Sequence, residues 1–331
     1  MTPASRLEWG RGAPPPAFHA VDAVAAAPEQ PGPDAEWGIA FIHERPVARL
    51  ATWLRHDLVG APGATGLIGH YAATDADAAV ELLRDAASRL TNAGARRVLG
   101  PMNGSTWGRY RFAVPDPASE TTAPPFLGEP VNSPEYPAHF AAAGFGEAAR
   151  YESRITRDIT AANPRAAAAE ETARAKGVRV APLELARFED ELRDLHQLSL
   201  RSFADNLYYS PIGPEEFAAM YRPMRALLDP ALVLLARDAG DSLIGYAFAY
   251  ADPLSVADGR PHRMILKTLA VDPAWRSIGL GALLVERLHA AARAKGLSSV
   301  IHALMHVANN SMKISAHTAQ LFRRYALYEH S

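Results

Sequence analysis

Three residues of one short segment, Arg276, Gly279 and Gly281, have the types and the spacing to bind a phosphate group. An apolar run from Met264 to Val271 precedes them, and a helical pattern from Leu283 to Arg293 follows. The first amides of a helix have no partners within the helix, and the helix dipole places about half a positive charge there. Glycines let the backbone approach an anion closely. A strand, a glycine loop and a helix start in this order predict a site for a phosphate or a pyrophosphate.

The loop fits neither of two common phosphate-binding motifs. A P-loop would need Gly-Lys-Ser/Thr at its end, and no such residues follow here. A dinucleotide-binding Gly-x-Gly-x-x-Gly would need a third glycine where Leu284 stands, if Gly279 is counted as the first. The alternative is an ordinary strand-to-helix turn that uses its glycines only for backbone geometry.

The spacing Arg-x-x-Gly-x-Gly, with Val271-Asp272-Pro273 leading into it, resembles the coenzyme A motif of the GNAT superfamily of acyl-CoA N-acyltransferases. The resemblance implies that the loop holds the pyrophosphate of an acyl donor, acetyl-CoA or another acyl-CoA. It assigns the donor to the strand end and the following loop, at Leu269, Ala270, Val271, Arg276, Ser277, Ile278, Gly279, Leu280, Gly281 and Ala282.

The composition limits the other classes of function. The chain has 331 residues with a net charge of −2, which gives no electrostatic reason to expect nucleic acid or an anionic membrane as a partner. No cysteine is present, which excludes disulfides, thiolate metal sites and a cysteine nucleophile. We expect no metal, no membrane-spanning helix, no signal peptide at the polar, proline-rich start, and a cytoplasmic location.

From Val178 to the end, the order of predicted elements resembles that of the GNAT fold, an α/β fold with a mixed sheet. The expected elements are a strand at 178–183, helices at 186–203 and 214–228, a hairpin of 231–237 and 243–251, a strand at 264–271, a helix at 283–293, a strand at 299–306, a helix from 311 and a last strand at 321–329.

The first half of the chain repeats part of this pattern. A helical segment ending in Thr91-Asn92-Ala93-Gly94, followed by Arg97-Val98-Leu99, parallels Ala294-Lys295-Gly296 followed by Ser299-Val300-Ile301. The two glycines are 202 positions apart. The chain therefore resembles a tandem GNAT protein. We predict a first domain at 1–162 with a loop-rich lead to about residue 37, a connecting helix at 163–177, and a catalytic, acyl-CoA-binding domain at 178–331.

The phosphate loop is predicted to be lost in the first domain. The offset of 202 places Thr74, Asp77 and Ala79 at the positions of the arginine and the two glycines. Acidic side chains there would repel a pyrophosphate, although they suit a helix N-terminus. We therefore interpret the first half as a degenerate GNAT-like domain that supplies packing and one wall of the acceptor cleft.

Acyl transfer to an amine requires loss of a proton from the amine, polarisation of the thioester and protonation of the leaving thiolate. The resemblance implies direct attack on the thioester and a glutamate base on one of two strands, yet neither 264–269 nor 299–306 contains an acid. His302 and His306 are four residues apart, so a regular strand points both to one face. Either has a suitable ordinary pKa for a base, or each is a structural histidine.

The general acid of GNAT enzymes is commonly a tyrosine in the pattern Asn-x-x-Ala-x-x-x-Tyr. Starting this pattern at Asn310 places His317 at the tyrosine position, and Asn309 is an alternative start. Asn310 would contact the donor, cap the helix, or do both. Tyr325 is a further candidate for the acid, with packing as its alternative role.

A polar and aromatic stretch supplies candidates for the acceptor pocket. Asn206, Tyr208 and Tyr209 lie between two predicted helices, and Trp107 of the first half would reach the same cleft. The alternative is a surface loop with packed aromatic side chains. The sequence thus predicts an N-acyltransferase acting on an amine of a small molecule or peptide. Its alternatives are an enzyme that takes its acyl group from an acyl carrier protein and a non-catalytic acyl-CoA-binding module.

Overall fold

The structure, a computed structural model, describes residue 4 and residues 6–21, 30–116, 123–161, 163–309 and 319–331. Its helices and strands alternate along the chain and build one large mixed sheet. The elements of the first half are β1 (Arg6–Arg11), α1 (Pro16–Ala20), β2 (Glu36–Ile42), β3 (Arg45–Arg55), β4 (Thr65–Ala73), α2 (Ala76–Asn92), β5 (Arg97–Gly100), β6 (Phe112–Val114), α3 (Tyr136–Ala142) and β7 (Gly146–Thr156).

The second half follows the predicted order, with boundaries that differ by a few residues. Its elements are α4 (Pro164–Ala175), β8 (Arg179–Pro182), α5 (Phe188–Phe203), α6 (Pro214–Tyr221), β9 (Val233–Arg237), β10 (Leu243–Ala251), β11 (Val256–Ala257), β12 (Arg260–Pro261), β13 (Arg263–Val271), α7 (Leu280–Ala294), β14 (Ser299–His306) and β15 (Gln320–His330). The helix expected from residue 311 lies outside the described residues.

The prediction of a loop-rich lead is wrong for β1, which lies within it. β1 pairs with β2 along its whole length, and β2 continues the sheet by pairing with β3. Trp9 of β1 packs against the core under α2, and its indole N–H donates to Asp85 at 2.8 Å. Partners supplied by other parts of the chain stabilise the edge strand β1, so the local pattern does not show it.

Thirteen of the described strands form one sheet in the order β1-β2-β3-β4-β5-β15-β7-β14-β13-β10-β9-β8, with β6 paired to β15. The mixed α/β architecture predicted from the sequence is confirmed. Helices cover both faces of the sheet, and α7 buries Leu284 and Leu288 completely against β13 and β14. Each such leucine contributes about 1.5–3 kcal/mol relative to an exposed one.

The two halves exchange their last strands. β7, the last described strand of the first half, pairs with β14 of the second half, as in Ile301 opposite Ile155. β15, at the end of the chain, pairs with β5 and with β7, as in Tyr328 opposite Gly100. The domain boundaries at residues 162 and 178 stay a prediction. Strands from each half of the chain form hydrogen bonds with strands of the other half.

None of the helices in the described ranges combines the length and the apolar character that crossing a bilayer requires.

Candidate active site

The glycine loop joins the end of β13 to the start of α7 through a single 3₁₀ turn, Pro273–Ile278. Gly279 follows with φ 77° and ψ 17°, a left-handed conformation that favours glycine, and α7 begins at the next residue. A Cβ added at Gly279 would lie 3.0 Å from the Cβ of Ala169 in α4. Glycine is therefore required here by both conformation and space, and the unpaired amides of the first α7 turn follow it directly.

Two arginines fasten this loop to the end of α5. Arg276 donates to the carbonyl oxygen of Ser202 at 2.8 Å and to that of Val271 at 3.3 Å. Arg201 donates to the carboxylate of Asp272 at 2.9 Å. The predicted donor residues of 269–271 and 276–282 thus lie together at one end of β13, with Arg276 exposed beside the helix start. Their contact with the donor stays a prediction, and Asn310 and His317 lie outside the described residues.

A gap opens between β13 and β14 next to this loop. The two strands pair in parallel from Arg263 opposite Ser299 to Leu266 opposite His302, and no pairing between them continues within the described residues. Lys267 forms a β-bulge at this point. Two consecutive residues of β10 pair with Leu266 and Thr268, so Lys267 between them has no partner in β10. The edge of β13 beyond Lys267 that faces β14 is therefore free to hydrogen-bond an extended, amide-containing ligand.

The corresponding gap in the first half is closed by the chain itself. β4 and β5 also stop pairing after their first residues. The amide of Met102 then donates to the carbonyl oxygen of Ile68 at 2.7 Å, and the amide of His70 donates to the Asn103 side chain at 2.8 Å. A Cβ added at Gly69 would lie only 2.5 Å from the Met102 carbonyl oxygen. No room remains on this stretch of β4 for a second ligand of the same kind.

The loop of the first half is also shorter than the sequence comparison indicated. Strand pairing makes Thr65 correspond to Arg263, an offset of 198, whereas the ends of α2 and α7 correspond at 202. The predicted alignment of the loop at 202 is therefore wrong. Only Thr74 and Asp75 separate β4 from α2, and Asp75 caps the helix by accepting from the amide of Ala78 at 2.9 Å. The first half has no counterpart of the 3₁₀ turn.

His302 and His306 do not share a face of the sheet, which corrects the prediction from their spacing. The pairing of β14 with β7 shifts by one residue between His302 and Met305, and Leu304 has φ 59° within this bulge. The extra residue reverses the alternation of side chains. His302 consequently lies on the α7 face beside His289, and His306 on the opposite face against Tyr151.

His302 is unsuited to act as a base on the acceptor. Its ring is buried, and its Nε2 lies 3.3 Å from the hydroxyl of Thr156. Burial, with repulsion from His289 and Arg154, lowers its pKa to about 3. These features favour the structural alternative for His302.

His306 is half-buried, and its ring packs edge-to-face on Tyr151 with centroids 5.1 Å apart. Its Nδ1 accepts the amide N–H of Ala308 at 3.2 Å. The neutral ring must therefore carry its proton on Nε2. Burial, together with the nearby Arg111 guanidinium, lowers the pKa of His306. The side chain thus offers a donor rather than a free basic nitrogen.

Tyr325 lies in the interior, in agreement with the packing alternative. It is 1% exposed, and its hydroxyl donates to the carboxylate of Glu129 and contacts the Ser153 hydroxyl at 3.0 Å. Burial raises the pKa of Tyr325 well above its ordinary value. The Arg323 guanidinium lies 2.6 Å from the same carboxylate, and burial raises the pKa of Glu129. Sequence reasoning missed this network because Glu129 is distant in the chain.

The predicted acceptor residues mainly join the two halves. Tyr208 and Tyr209 are buried, and their backbone pairs with Val59 of the first half. The Trp107 indole N–H donates to the carbonyl oxygen of Ser210 at 2.9 Å. Asn206 alone among the four is exposed. Contact of these residues with an acceptor stays a prediction.

Two cations beside the gap were not singled out from the sequence. Lys267 lies at the bulge of β13, and Arg111 of the first half donates to the Leu304 carbonyl oxygen at 2.9 Å. A lysine within the otherwise apolar run of β13 was a usable sequence signal. Nothing local could have indicated Arg111, which reaches the gap only through the strand exchange.

Two further kinds of feature among the described residues are a cavity and possible metal ligands. A cavity of about 510 Å³ lies beside Arg263 and Ser299, at the far end of β13 and β14 from the glycine loop. The Arg263 guanidinium is already held by the buried Asp252 carboxylate at 2.6 Å. In the part of the chain that the structure describes, no three histidine or acidic side chains are grouped to hold a metal ion.

Together the fold and the site define a two-part α/β protein in which, among the described residues, the gap between β13 and β14 lies open beside the glycine loop. The model of the acetyltransferase (GNAT) family matches residues 190–319, so the second half of the chain carries a GNAT domain. No curated protein sequence matches the chain.

Solved structures share the overall fold at low sequence identity. A tandem GNAT protein from the clavulanic acid biosynthesis pathway, solved without AcCoA, is 15% identical with a TM-score of 0.52, and the match covers 98% of each chain. The GCN5-related glucosamine N-acetyltransferase region of a fungal multi-domain GH3 β-N-acetylglucosaminidase is 14% identical with a TM-score of 0.54. That match covers 90% of this chain and 33% of the fungal chain, so this chain spans a third of that protein's length. A GCN5-related N-acetyltransferase from Sphaerobacter thermophilus is 12% identical with a TM-score of 0.50, over 90% of this chain and 81% of that one.

Proposed function

We propose that the protein is an N-acyltransferase that moves an acetyl or other acyl group from a coenzyme A thioester to an amine. The observation that carries this proposal is the open gap between β13 and β14 beside the loop of Arg276 and Gly279. The loop and the first turn of α7 would hold the pyrophosphate, and the edge of β13 beyond Lys267 would bond the amides of the pantetheine arm.

The proposed reaction is direct attack of a neutral amine on the thioester carbonyl, with the coenzyme A thiolate as leaving group. No carboxylate of β13 or β14 is available as a base, and His302 faces away from the acceptor side. Solvent would therefore take the proton of the amine. His306 would act through its Nε2–H as a hydrogen-bond donor to the developing negative charge, because its Nδ1 is engaged by Ala308.

The first half would supply one wall of the acceptor cleft without binding a donor. Its segment 123–129 covers the sheet face opposite α7, where the Leu127 amide donates to Asp252 at 3.2 Å and its carbonyl accepts from Tyr250. Its own gap is filled by Met102 and Asn103. These contacts favour one donor site in each chain.

A thiol-release assay tests the proposal. The full chain is incubated with acetyl-CoA and a panel of amines, and free coenzyme A is measured, with Gly279→Asp as the inactive reference. We expect amine-dependent thiol release by the wild-type protein. Tight binding of acetyl-CoA with no turnover on any amine would instead identify an acyl-CoA-binding module. Turnover only with a carrier-bound thioester would identify the carrier protein as the donor.

A further inference from the structure

The cations at the gap indicate which amines the protein accepts. Lys267 protrudes from the bulge of β13 on the face opposite α7, next to the segment of the first half that covers this face. A Cβ added at Gly128 would lie 3.9 Å from the Lys267 ammonium nitrogen and 3.6 Å from the Tyr250 hydroxyl. The lysine side chain is nevertheless exposed to solvent. It is therefore accessible to a ligand that enters the cleft.

Arg111 brings a second, fixed positive charge to the same place. It is 8% exposed, and its guanidinium lies 3.8 Å from the ring centroid of Tyr110 and 4.3 Å from that of Tyr151. One of its nitrogens donates to the Leu304 carbonyl oxygen at 2.9 Å. These contacts hold the guanidinium in one position across the bulge of β14.

The two charges are close enough to affect each other. Desolvation by the surrounding protein lowers the pKa of the Lys267 ammonium, and repulsion from the Arg111 guanidinium lowers it further. The same guanidinium lowers the pKa of His306. The side of the gap opposite α7 thus carries two basic side chains that repel each other when both are charged.

No acid within the described ranges forms an ion pair with either cation, since the nearby carboxylates have other partners. Glu129 pairs with Arg323, and Asp252 pairs with Arg263. Glu152 of β7 pairs with Arg154 and Arg324. Two basic side chains in a cleft whose described carboxylates already have partners favour a ligand that supplies the negative charge.

We propose, resting on the function proposed above, that the acceptor is an amine that also carries an anionic oxygen group, a carboxylate or a phosphate, which Lys267 contacts and the charge of the buried Arg111 attracts. An acceptor with only an ammonium group would be repelled by these two cations. An anionic group elsewhere in the same molecule reverses the sign of this interaction and orients the amine toward the thioester.

The test compares paired acceptors that differ in charge alone. An α-amino acid is set against its carboxamide, and an amino phosphate against the corresponding amino alcohol. We expect the anionic member of at least one pair to have a kcat/KM at least about tenfold higher, and the pair that shows it identifies the group as carboxylate or phosphate. Lys267→Gln should remove most of this preference, and Lys267→Glu should reverse it.

Lys176→Gln is the matched control, because Lys176 is also exposed but lies at the end of α4, away from the gap. It should leave the preference unchanged. Equal rates for both members of both pairs, or an equal loss for both members in Lys267→Gln, would overturn the proposal.

Equilibrium binding separates this proposal from the proposed function. Calorimetry on the full chain saturated with coenzyme A measures binding of each member of the same pairs. Selective binding of the anionic member, lost in Lys267→Gln, supports the anion site even if no amine is ever acylated. Acyl transfer without any selectivity in binding or rate would support the enzyme and refute the site.

Discussion

His302 and His306 lie on opposite faces of the sheet, although four residues of one strand separate them. The bulge at Leu304 adds one residue to β14 relative to β7 and reverses the alternation between the two histidines. One ring is packed under α7 beside His289, and the other lies on the opposite face against Tyr151.

This relationship predicts different outcomes for the two histidines. His306→Ala should lower kcat by roughly 10²-fold, the usual effect of removing one preorganised donor, with acetyl-CoA affinity little altered. His302→Gln should change kcat by less than about tenfold, because the side chain contacts no substrate. Steady-state kinetics with one amine measures both. If His306→Ala and the double variant keep the wild-type kcat, both histidines are structural.

Acid stability should report the burial of His302. Its pKa is lowered from 6.5 to about 3 in the folded protein. Between pH 6.5 and pH 3, this histidine is therefore protonated in the unfolded chain but neutral in the folded chain. Stability is therefore unaffected by this group above pH 6.5 and falls as the pH drops toward 3, by at most about 1.4 kcal/mol per pH unit. Urea unfolding at several pH values should show a shallower acid loss for His302→Gln than for wild type. If the free energy of unfolding falls equally with decreasing pH in the two proteins, the pKa of His302 is not lowered by folding.

Donor binding should depend on Gly279 and occur once per chain. Gly279→Asp should weaken acetyl-CoA binding by a factor of about ten or more, equivalent to about 1.4 kcal/mol, because it places a negative charge and a side chain at the helix start. Gly296→Asp is the matched control. Gly296 has nearly the same left-handed φ, 76°, but follows the other end of α7, where a Cβ meets no atom within 4 Å.

Calorimetry measures both the affinity and the stoichiometry. Equal weakening in the two variants would mean that backbone strain, and not the site, controls binding. Two equivalent sites per chain would contradict the closed gap of the first half.

The second half should not be active alone. A fragment starting at Lys176 would lack β7, which pairs with both β14 and β15, and β5, which pairs with β15. It should be poorly soluble or unable to acylate the amine, because unpaired strand edges and an apolar interface become exposed. Co-expression with residues 1–175 should restore soluble, active protein if pairing is the cause. A monomeric fragment with an unchanged kcat/KM would give the first half a separate role.

Much of the site could be predicted from sequence because its parts are contiguous. Arg276, Gly279 and Gly281 lie close together in the chain, just before α7 and in its first turn, so their spacing alone places them at the helix start. The order of strands and helices after residue 178 followed from local periodicity for the same reason. The cap of α2 by Asp75 is likewise local, because it requires only an amide of the helix's own first turn.

The tertiary structure decided everything that depends on pairing between distant segments. The exchange of β7 and β15, the bulge that separates His302 from His306, and the closure of the first gap by Asn103 each require hydrogen bonds to residues far away in the chain. The approach of Arg111 to Lys267 has the same origin. The local sequence does not distinguish among the many carbonyl groups with which a backbone amide could form a hydrogen bond. Only the packing of the whole sheet selects one of them.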